Sequence, residues 1–149
     1  MKGSGAAAYL VVDASVSLKW ALDDEESVSQ AVALRDAAVA GRWQMLAPSL
    51  WLYEVTNGLL TAVRRQRLAA RTGLQALGLL QTVGVRLADP EAGEVYETAG
   101  RFGVAAHDAA YLALATTLQT DLWTGDRRFY DAVRHGANFV RWIGDYPLD

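Results

Sequence analysis

Tyr9-Leu10-Val11-Val12-Asp13-Ala14-Ser15 is the stretch on which the fold turns. Four apolar or aromatic residues make a run the length of a buried strand, an acid ends it, and a helical pattern follows at once. Gln44–Ala47, Val85–Leu87, Asp121–Trp123 and, more weakly, Asn138–Val140 read the same way. Runs this short do not by themselves separate a strand from a buried helix, so the intervals decide. Ala- and Leu-rich helical patterns fill them: Ser15–Leu22, Ser27–Ala40, Pro48 to about Gln66, Arg71–Val83, Glu91–Phe102, Asp108–Gln119 and Arg127–Arg134. The acidic run Asp23-Asp24-Glu25-Glu26 suits the start of the second helix, Pro48 the first turn of the third, and Gly136 the close of the last. Strands alternating with helices predict an α/β fold, with a central, mainly parallel sheet of four to five strands flanked by helices.

The chain has 149 residues, enough for one domain with an ordinary core. Residues 1–8, with Gly3-Ser4-Gly5, read as a flexible leader, and residues 9–149 as the domain. The apolar run that begins at Ala6 is cut by Asp13, which argues against a signal peptide, and no stretch approaches the length of a membrane span. There is no cysteine, which excludes disulfides, zinc–thiolate sites, iron–sulfur clusters and thiol nucleophiles and fits a reducing, cytoplasmic setting. The two histidines, His107 and His135, lie far apart, so a histidine-built zinc site or a Ser–His triad has little support. With 17 Asp+Glu against 14 Lys+Arg the net charge is −3, and nucleic-acid binding would need a local cationic patch. Carboxylates remain as the source of chemistry.

Four of them stand in telling places. Asp13 ends the first strand and Asp126 follows the fourth, and in open α/β sheets ligands sit outside the carboxyl ends of strands. Each could instead be a helix cap. Ser15 and Thr124 share that ambiguity, as cap hydroxyls or as outer partners of a metal-bound water. Glu54 sits mid-helix, on one stripe with Asn57, Gly58 and Thr61, beside an apolar face of Leu52, Val55, Leu59 and Val63. That stripe is either a polar notch or a solvent-facing side. Asp108 opens a helix of little polarity, one expected to be buried, and His107 beside it reads as a packed or hydrogen-bonded histidine rather than a ligand. Several carboxylates on one rim cannot all stay ionised without a counter-charge. A hard divalent cation supplies one, and oxygen ligands select Mg²⁺ or Mn²⁺. Phosphodiester hydrolysis is the natural reaction.

Val11-Val12-Asp13-Ala14-Ser15, Tyr53-Glu54-Val55-Thr56-Asn57, Asp108 to Ala115 and Thr124-Gly125-Asp126-Arg127-Arg128-Phe129, in this order and spacing, resemble the PIN domain. Within that family they are similar to the VapC-type toxins of bacterial toxin–antitoxin pairs, over roughly Tyr9 to Trp142. The resemblance implies a PIN-like α/β/α sandwich and a Mg²⁺- or Mn²⁺-dependent endoribonuclease whose catalytic acids are Asp13, Glu54, Asp108 and Asp126. It makes Asp13, Asp108 and Asp126 the metal ligands, with Glu54 ligating or orienting the attacking water and Ser15, Asn57 and Thr124 supporting them. It also implies an RNA substrate, an antitoxin partner bound over the pocket, and a homodimer that forms a heterotetramer or larger assembly with the antitoxin. His107 stands where an apolar or aromatic residue would be unsurprising.

Lys19, Arg64, Arg65, Arg127 and Arg128, with Arg67 and Arg71 nearby, are the cations available for RNA phosphates. Trp20, Trp43 and Trp51 would stack on bases or face the core or a partner, and Trp20, Leu22, Leu50 and Trp51 could line an antitoxin groove. The alternatives are a PIN-domain nuclease of RNA maturation and a non-catalytic α/β interaction module. A phosphatase built on an Asp-x-Asp nucleophile would need an acid where Ser15 stands.

Overall fold

Leu10, Val11 and Val12 are buried although successive side chains of a strand point to opposite faces of the sheet, and this is why their strand reads as a continuous apolar run. The computed structural model describes residues 8–148. In chain order its elements are β1 (Ala8–Val12), α1 (Ala14–Ser17) with a 3₁₀ turn (Leu18–Trp20), α2 (Val28–Val39), β2 (Trp43–Ala47), α3 (Leu50–Arg64), α4 (Ala70–Thr82), β3 (Arg86–Leu87), α5 (Ala92–Phe102), α6 (Ala106–Leu118), β4 (Leu122–Thr124), α7 (Arg127–Val133) and β5 (Val140–Trp142), then a second 3₁₀ turn (Ile143–Asp145). The expected leader lies outside the described residues except for Ala8, the first residue of β1.

The five strands are ordered β3-β2-β1-β4-β5 and every pairing is parallel, so the sheet is wholly rather than mainly parallel. The α/β/α architecture is the one the alternation predicts. On one face Val11 and Leu46 pack with Trp51, Val55 and Leu59 of α3, Tyr111 and Leu112 of α6 and Phe129 of α7. On the other, Leu10, Val12 and Met45 pack with Ala31 and Leu34 of α2 and with Ile143 and Tyr146. From Ala109 to Ala115 every residue of α6 is buried, as its lack of polarity requires. Among the described residues no helix is long and apolar enough to cross a membrane.

Several local expectations move. The last strand lies two residues later than Asn138–Val140, because Val140, Arg141 and Trp142 pair with Leu122, Trp123 and Thr124. The first helix closes after Ser17 and tightens into the 3₁₀ turn. The buried face of α3 is Trp51, Val55, Leu59 and Ala62, with Leu52 only partly covered. The acidic run does not open α2, whose first turn holds no acid. Instead Asp24 and Glu25 grip Arg67 from the link after α3, at 2.6 and 2.7 Å, and the guanidinium holds Asp24 below the usual carboxylate range. Arg67 is thereby removed from the cationic cluster. Gly136 does not close α7 with a left-handed turn, since the positive-φ glycines are Gly41, Gly84 and Gly103.

Candidate active site

The sheet order reverses between β1 and β4, and in an open parallel sheet the crevice at such a switch point is where ligands bind. Asp13 leaves the carboxyl end of β1 and Asp126 follows that of β4. Asp13 is the first residue after its strand, but its carboxylate caps nothing. Its Oδ2 accepts from the Ser15 hydroxyl at 2.7 Å and from the Thr124 hydroxyl at 2.8 Å. Each hydroxyl in turn accepts a backbone N–H, Ser15 from Gly125 at 2.8 Å and Thr124 from Asp126 at 3.0 Å. A hydroxyl carries one proton, so with its oxygen taken by an amide that proton is committed to Asp13. No described residue donates to Oδ1 and no buried side-chain polar atom there lacks a partner, so Oδ1 opens on solvent.

That opening is a cavity of about 430 Å³ lined by Asp13, Glu54, Asp108 and Asp126, together with Ser15, Asn57 and His107. Glu54 comes from α3, where Gly58 lets the helix approach the Leu18 side chain more closely than a Cβ would allow. The stripe through Glu54 is therefore a notch facing the site. Asp108 lies inside the first turn of α6 and is not its cap. Asp126 is both things at once, lining the cavity and capping α7 by accepting from the Phe129 N–H at 3.2 Å. Burial, with repulsion from Asp126 and Asp108, raises Asp13 above the ordinary carboxylate value despite its two hydroxyl bonds. Burial likewise raises Glu54 and Asp108, each repelled by its neighbours and partly relieved by the positive form of His107.

A model of the PIN domain matches residues 10–134. The chain belongs to the PIN domain family. The crystal structure of PAE2754 from Pyrobaculum aerophilum is similar over 92% of both chains, with a TM-score of 0.69 and 22% identity, which is a likeness of fold. No curated protein matches the chain. PIN domains are in general divalent-metal-dependent nucleases, hence hydrolases.

In this PIN domain the donor set suits a hard cation, being oxygen only, mutually repelling and served by an uncommitted Asp13 oxygen. The arrangement is looser than the sequence suggests, however. Among the described residues no three His, Asp or Glu side chains form a group that could hold a metal ion. Four acids share the cavity without closing on one point, and a cation there would complete its shell with water and substrate oxygens, as Mg²⁺ commonly does.

Other candidates separate. Lys19 is 6% exposed, its stem lies against Gly125 where a Cβ would come within 2.7 Å, and its ammonium sits 3.8 Å from Glu25. It is a packed cation rather than a surface one. Arg64 and Arg65 are exposed but stand at the far end of α3, ~15 Å along the axis from Glu54 at 1.5 Å per residue. Arg127 and Arg128 are exposed beside Asp126. Trp51 and Leu22 belong to the core, and Leu50 lines the acidic cavity. Trp20, whose indole N–H donates to the Ala31 carbonyl, lines a separate cavity between α2 and α4, so these four do not share one groove. The Trp43 indole N–H donates to the Tyr146 hydroxyl. His107 is 59% exposed and 3.7 Å from Asp108, at the cavity wall rather than packed.

Tyr111 is the functional side chain that sequence reasoning missed. It is 2% exposed and donates its hydroxyl to Glu54 Oε1 at 2.6 Å. Its place three residues after Asp108, on the same face of a helix, is the signal that would have found it. Burial and the nearby Asp13 and Glu54 charges raise the phenol, so it remains a donor. Its bond favours the ionised form of Glu54. Tyr111→Phe therefore raises the Glu54 pKa further, and the acid limb of a pH–rate profile moves to higher pH. An unmoved limb with a lower plateau would show that Tyr111 acts only through packing.

Proposed function

We propose that this PIN domain is an endoribonuclease dependent on Mg²⁺ or Mn²⁺ and serves as the toxin of a toxin–antitoxin pair in the cytoplasm. The observation that carries the nuclease reading is the cavity at the switch point, lined by four acids, with Asp13 braced by two hydroxyls and one of its oxygens free. Asp13, Asp108 and Asp126 would hold the cation, which when bound polarises the phosphoryl oxygen and lowers the pKa of an attacking water. Glu54, fixed by Tyr111, orients that water and takes its proton. Ser15 and Thr124 keep Asp13 in place, and Asn57 at the cavity wall can donate to the substrate. Arg127 and Arg128 meet RNA next to the cavity, Arg128 at its phosphates, and Arg64 and Arg65 meet a longer RNA further out.

The toxin role rests on the similarity to VapC-type chains. It is supported by apolar surface between α2 and α4, where Val39 (69% exposed) and Leu79 (68%) flank a cavity reaching Trp20. Surface of this kind takes up a helix of a partner such as an antitoxin. Homodimers and larger antitoxin complexes belong to the same reading.

Purified protein is expected to cut RNA internally with Mg²⁺ or Mn²⁺, to stop when the metal is chelated, and to be inactive as Asp108→Asn. Mapping the new RNA 5′ ends in cells that express wild type beside Asp108→Asn gives the target. Metal-independent cleavage, or equal cleavage by the variant, overturns the site assignment. Growth that continues during active expression overturns the toxin role and leaves a maturation nuclease.

A further inference from the structure

We infer that the corner where α7 meets β5 is a platform for single-stranded RNA, on which the Arg127 guanidinium stacks against an unpaired base. The identity of the ligand rests on the nuclease reading above; the platform rests on its own geometry. Trp142 pairs in register with Thr124, so it stands at the same carboxyl rim as the cavity, one strand further out, at the ~4.8 Å spacing of neighbouring strands. Arg127 directly follows Asp126. Its guanidinium carbon lies 3.9 Å from the Trp142 ring centre and 5.8 Å from that of Tyr130. The two rings pack at 5.7 Å, and Arg134 covers Tyr130 at 5.0 Å.

What sets Arg127 apart is the pairing of two features: its guanidinium lies against an indole, yet it has no carboxylate within 4 Å among the described residues, and the residue is exposed. Arg134, which also lies over Tyr130, is held by Asp131 at 3.9 Å. The indole lies against the guanidinium, and the residue remains exposed to solvent. An exposed flat cation recognises a flat π-system joined to an anion, which is a nucleotide. Only an unpaired base offers its face, so the ligand is single-stranded. The position of the corner, one strand beyond Asp126, carries a strand that leaves the cavity outward over β5.

The full-length Asp13→Asn protein, in which cutting is expected to be strongly reduced, is the background for the test. Anisotropy of a labelled, unstructured RNA oligonucleotide is compared with that of the same oligonucleotide in a duplex, across a salt series. Arg127→Met, which keeps the apolar cover over Trp142, is expected to weaken single-strand binding about tenfold, with little change for the duplex. Trp142→Leu is expected to do the same by releasing the guanidinium, and Arg128→Met to do much less. Unchanged single-strand affinity in Arg127→Met, or no RNA binding in the background protein, overturns the platform. An equal loss for both RNAs makes Arg127 a general phosphate contact and overturns the stacking. If wild type proves unable to cut RNA while Arg127-dependent binding persists, the nuclease reading falls and the platform stands.

Discussion

Asp13→Asn is expected to reduce metal-dependent RNA cleavage by ~10²–10³-fold, the scale on which losing one preorganised charge-stabilising group is felt. The amide keeps an oxygen for the Ser15 and Thr124 hydroxyls, so the network survives while the negative charge is lost. The same change should not destabilise the metal-free protein. Burial raises the Asp13 pKa, so the folded state binds a proton more readily than the unfolded chain. Its stability therefore falls as pH rises from the ordinary carboxylate value through the raised one. Asparagine has no proton to lose, and at neutral pH the metal-free variant melts at or above the wild-type temperature. Added Mn²⁺ should raise the wild-type melting temperature and leave that of Asp13→Asn unmoved, because only a ligand-competent native state is stabilised by mass action. A variant that cuts RNA like wild type, or whose metal-free form melts well below it, would remove Asp13 from the metal site or make it a structural group.

Trp51→Ala is expected to cost ~3–5 kcal/mol of folding stability, a large part of the ~5–15 kcal/mol typical of a domain. Trp51 is 2% exposed in the core between α3 and β1, and its indole N–H donates to the hydroxyl of fully buried Ser17 at 2.9 Å. Truncation leaves a cavity and strips that hydroxyl of its donor. Trp51→Phe separates the two effects, retaining most of the ring and losing the hydrogen bond at ~1–3 kcal/mol. Urea unfolding of the pair measures both. A loss below ~1 kcal/mol for the alanine variant would mean that the site collapses around the gap.

The fold was legible because a parallel sheet buried on both faces writes itself as short continuous apolar runs between helical patterns, and Leu10-Val11-Val12 is such a run. The terminal strand was misplaced because Val140-Arg141-Trp142 is defined by its partner: Arg141 breaks the apolar pattern, and only the ladder to Leu122–Thr124 identifies it. The cavity acids were legible one by one, since each follows a strand or marks a helix with little other charge. Their separation was not, because loop path and helix approach set it, and these depend on close contacts such as Gly58 against Leu18 and Gly125 against Lys19. Cations were misread for a related reason. Sequence shows a charge but not its partner, and Lys19 and Arg67 both meet carboxylates from the 23–26 run.

The two hydroxyls that grip Asp13 come from opposite ends of the folding problem. Ser15 is its near neighbour, while Thr124 arrives across a sequence separation of 111 residues. Contacts this distant close slowly, since chain entropy must be overcome before they contribute. A ribosome-bound chain that has made only β1, β2 and β3 already contains Asp13 and Glu54, yet lacks Thr124, Asp108 and Asp126. On the nuclease reading, a chain that stops short of β4 therefore has no assembled cavity, and competence arrives only once Thr124 has reached Asp13.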